Sequence, residues 1–178
     1  MSNVEWGNLV LSIADLKVTS LDGAVQANLD AAQEMTLSIV YRVGKLYGND
    51  QLFAVSTRVV EAKGTLSAGS MSTEAMGIIL GIEPSTSGVT PNRVTTSLIT
   101  PNMRLPYFKA YGMAFDENLG ALQVLVHKCK VTGDTEIGMK DGDDNWIVPS
   151  YDFAVVKSAG NLLVELRQLE TAVALPTS

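Results

Sequence analysis

QLFAVSTRVVEAKGTLSAGSMSTEAMGIILGIEP, residues 51–84, decides the fold class because the repeat of apolar residues changes within it. Over residues 51–63, Phe53, Val55, Thr57 and Val59 fall on one side of an extended chain, the period of a strand. Gly64 and Gly69 then read as punctuation before Ser72-Thr73-Glu74, which supplies an N-cap oxygen and a carboxylate for a first helical turn. Met76, Ile79 and Leu80 sit at the spacing of one helix face, Gly81 provides the stop, and Pro84 bars continuation. The expectation is one short helix over about residues 72–81 in a chain that otherwise has period two.

Strand patterns recur on both sides. Leu9, Leu11 and Ile13 alternate and then slip phase to Leu16 and Val18, which predicts a bulge near Ala14-Asp15. Asp22-Gly23 marks a tight turn before Val25, Ala27 and Leu29. Met35, Leu37, Ile39, Tyr41 and Val43 form a further strand, which Gly48-Asn49-Asp50 turns into the one beginning at Gln51. From Met103 to Phe115 the odd positions are mostly bulky, whereas Ala110, Gly112 and Ala114 are small, as if another surface packs closely there. Asp116-Glu117-Asn118 makes a turn, and strands are expected over 119–131, 134–139, 147–157 and 162–169. Pro149 implies an edge position or a late strand start. Residues 162–169 also fit a helix, but Ser158-Ala159-Gly160-Asn161 reads as a turn and favours a strand. Residues 83–102 hold Pro84, Pro91 and Pro101 among Ser, Thr, Gly and Asn, a long Pro/Ser/Thr-rich loop expected to be mobile or ordered by a neighbour.

At 178 residues the chain reads as a single β domain, 1–178. Its hydrophobic fraction of 46% is high, yet no apolar run reaches the roughly 18–20 residues of a membrane span. The surplus apolar surface must enter a core or an interface between subunits. MSNVEWGN lacks the basic start of a secretory signal, and a lone cysteine makes intracellular folding the expectation. A net charge of −6 opposes tight clamping of a nucleic-acid backbone but suits a surface that repels one.

Catalytic patterns are sparse. His127 and Cys129, two apart on one strand, would share a face; a packed strand explains them better than a nucleophile pair. Asp141, Asp143 and Asn145 imitate a calcium loop, but Trp146 stands where the loop needs glycine. Phosphate-cradle and dinucleotide motifs are missing. The reading is of a protein that is no enzyme and takes no metal and no cofactor. Asp134, Glu136, Asp141, Asp143, Asp144 and Asp152 cluster against one base, Lys140, either as a solvated hairpin or as a surface that must not stick to polyanions.

The order of these features resembles the major tail (tail tube) proteins of tailed bacteriophages. The resemblance rests on Leu46-Tyr47-Gly48, Thr57-Arg58-Val59-Val60-Glu61, the helix closed by Gly81, His127-Lys128-Cys129-Lys130-Val131, Tyr151-Asp152-Phe153 and a terminal hairpin. It implies a β-sandwich or half-barrel with one flanking helix, whose inner sheet is completed into a barrel on oligomerisation. It also implies homohexameric rings that stack into a tube, join other tail proteins in the virion after assembly in the host cytoplasm, and pass DNA without gripping it. On that reading Asp134, Glu136, Asp116 and Glu117 are the acidic candidates for the lumen, and Pro84, Pro91, Arg93 and Pro101 belong to a subunit-contact arm. Another virion β-protein (a tail terminator or head–tail connector) and a monomeric β-barrel binding a small apolar ligand are the alternatives.

Overall fold

A computed structural model describes residues 12–69, 72–116, 120–135, 149–170 and 173–176. Among these residues ten strands and one helix follow in chain order. They are β1 (Ser12–Ser20), β2 (Gln26–Asn28), β3 (Ala32–Gly48), β4 (Gln51–Ala68), α1 (Thr73–Leu80), β5 (Pro84–Ser87), β6 (Val94–Ser97), β7 (Phe108–Asp116), β8 (Gly120–Val131), β9 (Ser150–Val155) and β10 (Val164–Leu169). The described chain is mainly β, and its helix is neither long nor apolar enough to cross a membrane.

Eight strands form one antiparallel sheet in the order β2-β1-β7-β8-β9-β4-β3, with β10 also paired to β8. β9 and β10 follow one another along β8: Cys129 to Val131 pair with β9, and Ala121 to Val126 with β10. β9 also pairs with β4, so it joins the two halves of the sheet. The sheet curls until β3 lies against β1, and α1 packs on β1 and β2. The main core fills this curl with Leu16, Val18, Leu66, Ile79, Phe108, Val126 and Phe153, all at most 1% exposed. A smaller cluster of Tyr111, Leu125 and Leu175 lies apart from it. There Gln123, 2% exposed, donates from Nε2 to the Val173 carbonyl at 2.7 Å, so its burial leaves the amide bonded.

Local chemistry sets these elements. The β1 register slips between Ile13 and Asp15, where the phase change predicts a bulge. Asp22 holds the next turn by accepting from the Ser20 hydroxyl and the Ala24 amide, and these bonds keep its carboxyl below the usual range. Asn49 and Asp50, at φ 52° and 62°, close the β3–β4 hairpin between Gly48 and Gln51 in the positive-φ conformation that suits right-twisted strands. Ser72 Oγ accepts from the Ala75 amide at 3.1 Å, and Gly81, at φ 71°, ends the helix. The buried helix residues are Ala75, Ile78, Ile79 and Leu80; Met76, expected on that face, is only half-buried. β9 starts immediately after Pro149, and residues 164–169 are a strand.

Three expectations change. The strand begun at Gln51 runs through Gly64 to Ala68, because Gly64 is a close-packing position rather than a stop. A Cβ there would lie 2.4 Å from both the Phe153 ring and the Thr36 carbonyl oxygen. Residues 83–102 contain a short hairpin, β5 with β6, in place of an unstructured loop. The strand expected over 134–139 is absent at Asp134 and Thr135, which are irregular; its remainder lies outside the described residues, as does 147–148 of the strand expected over 147–157.

The small face of β7 is where the curled sheet closes: a Cβ on Gly112 would meet Met35 Sδ at 2.5 Å. The two glycines differ in what can yield. Gly64→Ala must displace a buried ring and a backbone carbonyl, and is expected to destabilise by about 2–3 kcal/mol. Gly112→Ala meets only the flexible end of a methionine and is expected to cost less than about 1 kcal/mol. Urea unfolding of both variants checks the order.

Candidate assembly surface

β3 and β4 outrun the rest of the sheet. β9 pairs with β4 only from Ala62 to Ser67, whereas β3 pairs with it along sixteen positions, from Ala32 to Gly48. Residues 38–60 are exposed throughout. Two bulges set the faces of this projection. The register passes from Val40 opposite Glu61 to Tyr41 opposite Val59, leaving Val60 as the extra residue, and from Leu46 opposite Ala54 to Tyr47 opposite Leu52, leaving Phe53.

Odd residues of β3 therefore stay on the core side along its length. Met35 and Leu37 pack against the core, and Tyr41, Val43, Val55 and Val59 continue the same face beyond it at 48–56% exposure. The other face carries Val40, Arg42, Gly44 and Leu46 of β3 opposite Glu61, Arg58, Ser56 and Ala54 of β4. The bulges keep Tyr41, Val43, Val55 and Val59 on one face, together with Lys45 and Thr57, and bring Arg42 and Arg58 together on the other. Among the described residues β3 is also the last strand of the sheet, with no strand paired to its outer edge.

Arg42 and Arg58 are direct cross-strand partners. Counting back from the turn without a bulge pairs Arg42 with Thr57, and the extra residue Phe53 moves the partner to Arg58. The signal for this pair was therefore one residue out of register in the sequence. The two arginines, Gly44 and Ser56 line a recess of about 290 Å³.

The β5–β6 arm is a second projection, exposed from residue 83 to residue 102. Pro84 begins β5, Pro91 lies in the connection, Arg93 precedes β6, and Pro101 follows it. Val89 is 84% exposed and Leu98 68%. At its base an open, mostly apolar cleft of about 370 Å³ runs between α1 and Pro106, with Ile78 and Tyr107 in its walls.

The two described acidic candidates, Asp116 and Asp134, do not converge. Asp116 ends β7 opposite Gly120, and Asp134 is exposed beyond the other end of β8, so the length of that strand separates them. Glu117 and Glu136 lie outside the described residues, as do Asp141, Asp143 and Asp144. Asp152, on β9, accepts from the Thr65 hydroxyl at 2.8 Å.

His127 and Cys129 are held apart. β8 pairs Phe108 with Cys129 but Ala110 with Val126, so His127 and Lys128 together oppose Lys109. This bulge places Cys129 in the core, where its thiol contacts the Phe108 carbonyl at 3.3 Å and burial pushes its pKa far up. His127 Nε2 instead meets Glu165 Oε2 at 3.0 Å, and Arg167 Nε donates to Glu165 Oε1 at 2.7 Å. Among the described residues, no group of three or more His, Cys, Asp or Glu is placed to hold a metal. No protein-family model matches the chain, and comparison with curated proteins finds no match.

Arg167, and then His127, hold the Glu165 carboxyl below the usual range. A carboxylate with a lower pKa folded than unfolded stabilises above its unfolded pKa, and that contribution fades as pH falls through the folded value. Glu165→Gln is expected to lower Tm at neutral pH and to lower it less at acid pH, as the wild-type carboxylate becomes protonated as well. Thermal melts at the two pH values check the sign.

Proposed function

We propose that this chain is a structural subunit that forms hexameric rings, and that the rings stack into the tail tube of a bacteriophage, a conduit for DNA. The observation that carries the reading is the β3–β4 hairpin: an apolar face continuous with the core, exposed past the end of the sheet, beside a strand edge that no described strand pairs. A hairpin of two strands gains little from itself in water. A neighbouring copy that lays its own sheet against this edge supplies both the backbone partners and the apolar cover, and a closed ring of such contacts removes the edge. In that arrangement the inner sheets of successive subunits join into one barrel. The β5–β6 arm, exposed and bearing Val89, Leu98 and Ile99, supports contacts between subunits or between rings.

Negative-stain microscopy and size-exclusion chromatography of the purified chain test the reading. Rings or tubes are expected; a species that stays at 19.0 kDa at high concentration overturns it. Tyr41→Glu with Val43→Glu is expected to leave the subunit folded, since both side chains are about half exposed, and to abolish assembly. The cleft beside α1 favours a second reading, a monomer that binds a small apolar ligand, and the same chromatography separates the two.

The acidic balance supports the conduit. DNA carries about one negative charge per 1.7 Å of axis, so a basic bore would act as a continuous clamp. A carboxylate-lined bore repels the duplex over about 8 Å at physiological salt. Asp134 and Glu136 are the residues we assign to that lining. Changing both to Lys is expected to permit tube assembly and to slow DNA ejection at low salt, with recovery as salt rises; ejection at the normal rate from tubes containing the variant would reject the assignment.

A further inference from the structure

We propose that Arg42 and Arg58 form a clamp for a carboxylate donated by a second copy of this chain. Residues directly opposite in an antiparallel pair have Cβ atoms about 4.5–5.5 Å apart, and like charges there destabilise the pair. The two arginines hold this unfavourable position on the projecting hairpin. Among the described residues neither guanidinium forms an ion pair with a carboxylate. The flanking pair is Gly44 opposite Ser56, and these small residues line, with the two arginines, the recess of about 290 Å³. An anion seated there cancels the repulsion and accepts from both forks, the geometry in which arginine binds carboxylates most strongly.

A second copy is the occupant that the charge and the surroundings favour. The chain has 19 acidic against 13 basic residues, so each copy presents carboxylates in excess. The reverse face of the same hairpin exposes Tyr41, Val43, Val55 and Val59, and a second copy brings the same apolar residues to lay against it. Two arginines on a chain of net charge −6 are too few to hold a phosphate backbone, which needs clustered cations. The clamp rests on the self-association part of the proposed function and not on ring or tube geometry.

Sedimentation velocity of the full chain over a concentration series, with thermal melts of the dissociated subunit, tests it. Arg42→Glu sets a carboxylate opposite Arg58 within the same hairpin, so the subunit is expected to keep or raise its Tm while self-association weakens by about tenfold or more. Arg58→Glu is expected to behave alike. Arg42→Lys with Arg58→Lys keeps the charge without the fork and is expected to fall between. Association of the glutamate variants at wild-type strength overturns the clamp and leaves the assembly reading standing. A wild-type chain that remains at 19.0 kDa throughout overturns both. Loss of association together with a drop in subunit Tm assigns the arginines a structural role and overturns the clamp. If the variants associate normally but lose binding to a labelled DNA duplex, the occupant is phosphate and the proposal fails. A wild-type dimer with no tubes, abolished by Arg42→Glu, supports the clamp while the tube reading falls.

Discussion

Backbone pairing of β4 is the constraint on which the rest of the molecule depends. Over Ala62 to Ser67 the strand is hydrogen-bonded on both sides, to β3 and to β9, and its alternate side chains enter the core. Towards Gln51 it pairs with β3 alone. One strand is thus half core and half projection. The anchored half fixes the direction and facing of the free half, since alternation carries the core face outward along β3 without a break. What leaves the core is an apolar strip whose backbone is paired, among the described residues, on one side only.

Close packing at Gly64 makes the anchored half possible. Phe153 lies over the glycine, in contact range of its missing side chain, and belongs to β9, the strand that links β4 to β8. The same contact explains why a glycine that reads as a strand end lies inside an eighteen-residue strand. Glycine punctuates a sequence and also admits a ring, and only the neighbour across the sheet distinguishes the two uses.

Much of the local structure was legible in the sequence, because it depends on residues close together in the chain. The bulge at Ala14, the Asn49-Asp50 turn, the Ser72 and Gly81 caps and the start of β9 after Pro149 all follow from neighbouring residues. What was not legible depends on register. The bulges at Phe53, Val60 and His127-Lys128 each shift a strand by one residue, and each shift decides a face. They separate His127 from Cys129, bring Arg42 opposite Arg58, and set Val55 and Val59 on the same face as Tyr41 and Val43. The small hairpin of residues 84–97 was hidden for another reason: apart from Val94 its strands are Ser, Thr and Pro, with no apolar alternation to reveal them.

The β3–β4 hairpin also carries a difference in arc length. Its sixteen pairs consume seventeen residues of β3, with Gln33 unmatched, and eighteen of β4, with Phe53 and Val60 unmatched. Beyond the anchored region both surplus residues belong to β4, so that strand is the longer of two rails tied together at both ends. Such a ladder bends with the longer rail on the outside of the curve. The curvature available to anything built along this hairpin is therefore set by how many residues β4 holds in excess, whatever their side chains.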